Sequence, residues 1–210
     1  MNKDLLVLVA DKDMQLTVQA LLQRSLAMNI RPIVFDLHAH PQHDPGVYSN
    51  CDSFLRAFHK THQHALVLFD RHGSGAESLS SEEIEALAEK RISRSGWENR
   101  CRVVVIDPEL EAWVWSSSRK IDEILGWSNR IPDLRTWLID QGHCKEPNSK
   151  PPNPKQSMEA AMLISGIRWS SSVFKSIAEQ VSFSNCSDRS FQRFCSTLRT
   201  WFPPEESRAT

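Results

Sequence analysis

Four short apolar runs in the first half of the chain constrain the fold more than any other feature: Leu5–Ala10, Ile33–Phe35, Ala65–Phe69 and Val103–Ile106. The three longer runs are continuous. A strand with one face in water alternates apolar and polar residues, whereas a strand covered on both faces by helices does not. The intervening stretches carry helical spacing. Met14, Val18, Leu21 and Leu22 share one helix face, and Phe54, Leu55 and Phe58 support a second helix. Ser81-Glu82-Glu83-Ile84-Glu85 opens a third, whose early acids and later Lys90 and Arg91 match the helix dipole. Strands alternating with helices predict βαβ units, right-handed crossovers and a mainly parallel central sheet.

The second half reads as helical. One helix is expected through Glu111-Ala112-Trp113-Val114-Trp115, and an irregular segment through Lys145–Pro152. Asn153 resembles an N-cap with Pro154 at the first helical position, and that helix should run through Met158, Ala161, Met162 and Ile164. Phe191, Phe194, Cys195, Leu198, Trp201 and Phe202 form a final apolar stripe, stopped by Pro203 and Pro204. We read residues 1–116 as an α/β core, 117–202 as a helical extension packed on it, and 203–210 as a flexible tail.

Composition narrows the function classes. A chain of 210 residues, 40 % hydrophobic, can bury a sizeable core. Its net charge of -1 gives no global basic signal for nucleic acid. No apolar run approaches the length of a membrane span, and Met1-Asn2-Lys3-Asp4 leads straight into a strand, so no signal peptide is expected. The five cysteines are odd in number, widely spaced and without a Cys-x-x-Cys pair, which points to reduced thiols and a cytoplasmic setting.

Each apolar run is followed by aspartate: Asp11, Asp36, Asp70 and Asp107. In a parallel sheet these side chains come to the carboxyl edge, where open α/β sheets bind ligands. Clustered carboxylates repel one another, and a hard cation such as Mg²⁺ or Mn²⁺ relieves that repulsion, completing its shell with water or phosphate oxygens. Such a site can activate water and stabilise charge in phosphodiester cleavage. The plainer alternative is that each aspartate caps the next helix. Asp70 leads into Arg71-His72-Gly73-Ser74-Gly75, whose glycines permit a tight turn and close backbone approach to an anion, although no Walker lysine follows. After the fourth run come Glu109 and Glu111. Two residues apart, they do not share a helix face. Glu111 is the stronger candidate, because it directly precedes the apolar block and can be held against the core.

These residues together resemble the Toprim-like domains of bacterial defence and DNA-processing proteins over roughly the first 115 residues. Val9-Ala10-Asp11-Lys12-Asp13 and Phe69-Asp70-Arg71-His72-Gly73 stand where a Toprim domain carries a glutamate after its first strand and an Asp-x-Asp pair after a later one, and Glu109–Trp113 and the Asn153-Pro154-Lys155 helix start resemble segments of small Toprim-like proteins of unknown function. More narrowly, the chain is similar to small accessory proteins of methylation-associated antiphage defence systems, through Leu6–Asp13, the His40–Gly46 loop and Asp70–Gly75. The resemblance implies a Toprim-like Rossmannoid core and other defence-system proteins as partners. It also implies a metal-dependent activity on nucleic-acid phosphodiesters. In that reading Asp70 and Glu111 hold metal, Asp11 is the acid/base and, with Asp13, a further ligand, and His72 contacts metal or phosphate. Two departures stand out. Asp11 replaces a glutamate, shortening its reach by one methylene. His72 replaces the second aspartate of Asp-x-Asp, and imidazole favours softer metals than Mg²⁺.

Two rivals stay open. Phe35-Asp36-Leu37-His38-Ala39-His40 resembles the Asp-x-His-x-His motif of amidohydrolases, with His43 and Asp44 as further ligands. Those enzymes need a (β/α)₈ barrel of about 250 residues, whereas four strands are legible here. The other rival is a non-catalytic partner subunit. The seven tryptophans are expected mainly as core or interface anchors.

Overall fold

A computed structural model describes residues 2–115, 118–146, 149–182 and 186–204. The chain is an α/β protein built on one four-stranded, all-parallel sheet. Its strands are β1 (Lys3–Val9), β2 (Phe35–Ala39), β3 (His62–Asp70) and β4 (Cys101–Ile106), in the order β2-β1-β3-β4. Leu5–Ala10, Ala65–Phe69 and Val103–Ile106 have no exposed surface, because helices cover both faces of the three continuous strands.

Within the core, the connecting helices are α1 (Lys12–Gln23), α2 (Ser25–Met28), α3 (His43–Leu55) and α4 (Ser81–Ile92). The chain steps from β1 to β2 in one direction and then back across β1 to β3 and β4. Right-handed crossovers therefore place α1 on one face and α3 with α4 on the other. The reversal falls between β1 and β3, so a crevice opens at their carboxyl ends. The rest of the chain is helical: α5 (Glu111–Val114), α6 (Arg119–Ile124), α7 (Leu134–Asp140), α8 (Pro154–Ser165), α9 (Ser171–Gln180) and α10 (Arg189–Trp201). α9 packs on α1, and α10 packs on β4. Phe191, Phe194, Cys195, Leu198 and Phe202 are buried there, and Trp201 stacks on His64 with ring centroids 4.4 Å apart.

The open side of β4 is sealed by side chains. Its Val105 and Val103 amides donate to Glu85 (3.0 Å) and Glu89 (2.9 Å) of α4. Arg189 and Arg193 of α10 pair with the same two carboxylates, at 2.5 and 2.7 Å. This clasp occupies donors that an exposed edge strand would offer to another chain.

The structure differs from the sequence reading at three places. β2 starts at Phe35, so Asp36 lies inside the strand opposite Leu6, near the amino edge. There it pairs with Lys3 at 2.6 Å and with His62 at 3.1 Å. An edge strand that is only half-buried tolerates such a polar residue. α3 begins at His43, inside the stretch read as a loop, because Pro45 is tolerated in a first helical turn. Asn153 occupies the N-cap of α8 with Pro154 after it, but its side chain makes no capping bond. Of the expected tail, residues 205–210 lie outside the described residues, as do Pro147 and Asn148 of the irregular segment.

Candidate functional site

The strand register brings the acids together. Leu8 of β1 is level with Val67 of β3, and Asp70 of β3 is level with Ile106 of β4. Asp11 and Asp70 therefore emerge at the same carboxyl edge, beside the crevice. Asp70 is the centre of the group. Burial, reinforced by repulsion from Asp44, Glu111 and Asp11, pushes its carboxyl well above the usual carboxylate range; the Leu110 amide bonded to it offsets part of this. Its Oδ1 is buried and has no hydrogen-bond partner among the described residues. A carboxylate oxygen sealed from water without a donor is costly, on the order of 1–3 kcal/mol.

Glu111 stands at the start of α5, only 4 % exposed. Burial pushes its carboxyl up to about 7, helped by Glu109 and Asp13 and opposed by Lys155. Asp44 enters from the first turn of α3 and accepts a 2.8 Å hydrogen bond from the Asp70 amide. Its carboxyl is likewise raised by burial, with Asp11 adding repulsion. Sequence reasoning placed Asp44 only beside the His38/His40 motif, not beside Asp70. The useful signal was the helix start itself, since an acid in a first turn is favoured by the dipole. Lys155, in the first turn of α8, was likewise not singled out, because a lysine on a helix is common and nothing in sequence ties it to strands so far away.

The remaining candidates are placed as follows. Asp11 caps α1, its Oδ1 accepting from the Met14 amide at 2.9 Å. Both oxygens of Asp13 are engaged: one accepts from the Ser171 hydroxyl and the other from Trp169 Nε1, the latter at 3.1 Å. Asp13 thus ties α9 and its approach to α1. His72 is 74 % exposed and faces Glu109 at 3.7 Å, at the rim of the group. Asp107 is half-exposed and turns to Arg71 (3.7 Å) and Ser81 (3.4 Å), lining a separate cleft of about 380 Å³. The Gly73 and Gly75 amides, presented by a backbone with φ of 84° and 78°, do meet an anion, but it is the chain's own Glu77, at 2.8 and 3.3 Å. The histidines of the amidohydrolase-like motif touch aromatic rings and glycine, and His38 Nε2 is buried with no hydrogen-bond partner among the described residues. His38 lies against Phe54 and Phe58, and His40 sits on Gly46, where any added Cβ would approach its ring to 2.4 Å.

The group consists of carboxylate oxygens, one of them orphaned, and burial and mutual repulsion favour their neutral forms. Among the described residues no three His, Cys, Asp or Glu side chains converge as metal ligands. A Mg²⁺-type ion takes only one or two protein carboxylates and keeps several waters. No helix among the described residues is long and apolar enough to cross a membrane. Fold and site together define an α/β protein with a buried acidic group at the switch point of a parallel sheet. Comparison with protein-family models, curated proteins and solved structures finds no match.

Proposed function

We propose that this chain is a Toprim-like component of a methylation-associated bacterial antiphage defence system that acts on nucleic-acid phosphodiesters with a divalent cation, Mg²⁺ or Mn²⁺. The observation that carries the reading is Asp70: a buried carboxylate with an orphaned Oδ1, facing Asp44, Asp11 and Glu111 at the sheet's switch point. Asp70 and Glu111 would hold the cation, which would polarise a phosphoryl oxygen and offset the charge of the acids. Asp11 keeps one carboxylate oxygen outside its capping bond. That oxygen accepts the proton of the attacking water as the new P–O bond forms and the bond to the departing sugar oxygen breaks, with that oxygen taking a proton from solvent. Asp44 acts on Asp70 through its backbone and its charge. The defence assignment is supported by the segments Leu6–Asp13 and Asp70–Gly75, and it makes other proteins of such a system the natural partners.

The test is cleavage of a single-stranded oligonucleotide with Mg²⁺, with Mn²⁺ and with chelator, for the wild type, Asp70→Asn and Glu111→Gln. The reading expects cation-dependent cleavage that falls at least about 100-fold in either variant, the scale of losing one charge-stabilising group. Cleavage that survives both substitutions removes the activity from this site.

A second reading, a non-catalytic partner subunit, is favoured by the lack of three converging ligands among the described residues and by the full engagement of Asp13. It expects no effect of divalent ions on the purified protein.

A further inference from the structure

The two edges of the sheet are finished differently. At β4 the Val105 and Val103 amides are taken by Glu85 and Glu89, and Arg193 Nε donates to the Val103 carbonyl at 2.9 Å. β2 has no such clasp. Its direction is fixed by two bonds to β1: the Leu5 amide donates to the Val34 carbonyl at 3.3 Å, and the His40 amide donates to the Val9 carbonyl at 2.9 Å. Backbone groups alternate in direction along a strand, so Asp36 and His38 also bond toward β1. The N–H and C=O groups of Phe35, Leu37 and Ala39 point the other way, off the edge. Among the described residues only Gln15 Nε2 reaches any of them, 3.2 Å from the Leu37 carbonyl. All five residues of β2 are half-buried, whereas Leu5–Val9 and Ala65–Phe69 have no exposed surface. Val34, just before β2, is 61 % exposed.

We propose that β2 is a homodimer interface: a second copy of this chain adds its own β2 antiparallel across a two-fold axis at Leu37, making one eight-stranded sheet. Self-pairing is what this edge fits. With the axis at Leu37, the outward residues meet as Phe35 with Ala39, Leu37 with Leu37 and Ala39 with Phe35, so each outward amide finds a carbonyl. The carbonyl of Leu37 has a second lone pair, and Gln15 is a flexible side chain, so their bond does not bar the pairing. On the opposite face Asp36 comes against His38 of the second copy, with Cβ atoms about 5 Å apart. His38 Nε2 is buried with no hydrogen-bond partner among the described residues, and the pairing brings a carboxylate to the strand beside it. Moving the axis by one residue sets Asp36 against Asp36 or His38 against His38, so the side chains select the register at Leu37. The clasp at β4 then closes both outer edges, and growth stops at two copies.

The test is sedimentation equilibrium of the full chain from micromolar to millimolar concentration, with amide hydrogen exchange measured at both ends of that range. The expected result is a monomer–dimer equilibrium. The amides of Phe35, Leu37 and Ala39, which have no acceptor in the single chain, should exchange more slowly as dimer fills. Leu37→Pro deletes the two central hydrogen bonds of the pair and none to β1, because that amide faces off the edge, where strands accept proline. It should weaken the dimer about 10-fold or more with an unchanged circular dichroism spectrum. If that variant does not fold, exchange in the wild type decides alone. A chain that stays monomeric throughout overturns the proposal. A dimer whose Phe35, Leu37 and Ala39 amides exchange freely, or which a folded Leu37→Pro leaves intact, has its interface elsewhere and also overturns it. Protection of these amides that requires a different protein assigns the edge to a foreign strand and overturns the second copy as its occupant.

Discussion

Replacing Glu111 with glutamine should remove a pH dependence of stability that the folded structure builds in. The glutamate ionises near 4.5 in an unconstrained chain and near 7 in the fold, where it is 4 % exposed. The gap is worth about 3 kcal/mol between the two protonation states. Between those values the folded chain holds a proton that the unfolded chain has lost. The contribution is therefore complete below about 4.5 and is lost as pH rises through about 7. For a domain of this size about 3 kcal/mol corresponds to roughly 6–12 °C in Tm. The amide has nearly the same shape and never ionises, so Glu111→Gln should gain on the wild type by that amount between pH 5 and pH 8. The comparison must be between the two proteins. Asp44 and Asp70 are raised as well and add to the trend, while His40 and His64, whose basicity burial lowers, oppose it at the acid end. The assay is thermal unfolding by circular dichroism at half-unit pH steps in cation-free buffer. Parallel curves for the two proteins would refute the claim that Glu111 is forced to hold its proton in the fold.

Three other outcomes follow from the same geometry. Asp70→Asn, without divalent ions, should leave stability level or raise it by about 1 kcal/mol or more, because the repulsion with Asp44 and Glu111 disappears; chemical denaturation at pH 8 reads it directly. Phe194→Asp should cost more than about 4 kcal/mol, since it puts an unpaired charge at a fully buried position between α10 and Trp113; an unchanged Tm would mark α10 as detachable. Asp13→Ala should cost about 1–3 kcal/mol through loss of the Trp169 and Ser171 bonds, with faster amide exchange at the start of α9 as its local signature.

The parallel sheet was legible because continuous apolar runs have few other solutions, and the helical second half because its stripes keep a helical period through Leu198. What was hidden depended on register and on distant pairing. Ile33-Val34-Phe35 looks like a strand, yet the pairing with β1 begins at Phe35, which moves Asp36 toward the amino edge. Composition cannot reveal such a shift of two residues. The Gly73–Gly75 turn did read as an anion cradle, but its anion is Glu77, two residues beyond Gly75. Asp13 looked equivalent to Asp11 in sequence. Only the approach of Trp169 and Ser171, more than 150 residues away, shows that its carboxylate is engaged. Lys155 was obscured for the same reason: its neighbours Glu111 and Asp70 reach it only through the packing of α8 on α5.

The central claim is that the buried acids around Asp70 take up a divalent cation, and direct binding of Mn²⁺ at pH 8 tests it most simply. Electron paramagnetic resonance of free Mn²⁺, titrated against wild type and Asp70→Asn, gives stoichiometry and affinity without any substrate. The account predicts one site in the wild type, an affinity that climbs as pH rises through about 7 while Glu111 gives up its proton, and a loss of about 10-fold or more in Asp70→Asn. A wild type that leaves Mn²⁺ free at millimolar concentration, or an affinity that Asp70→Asn leaves untouched, contradicts it.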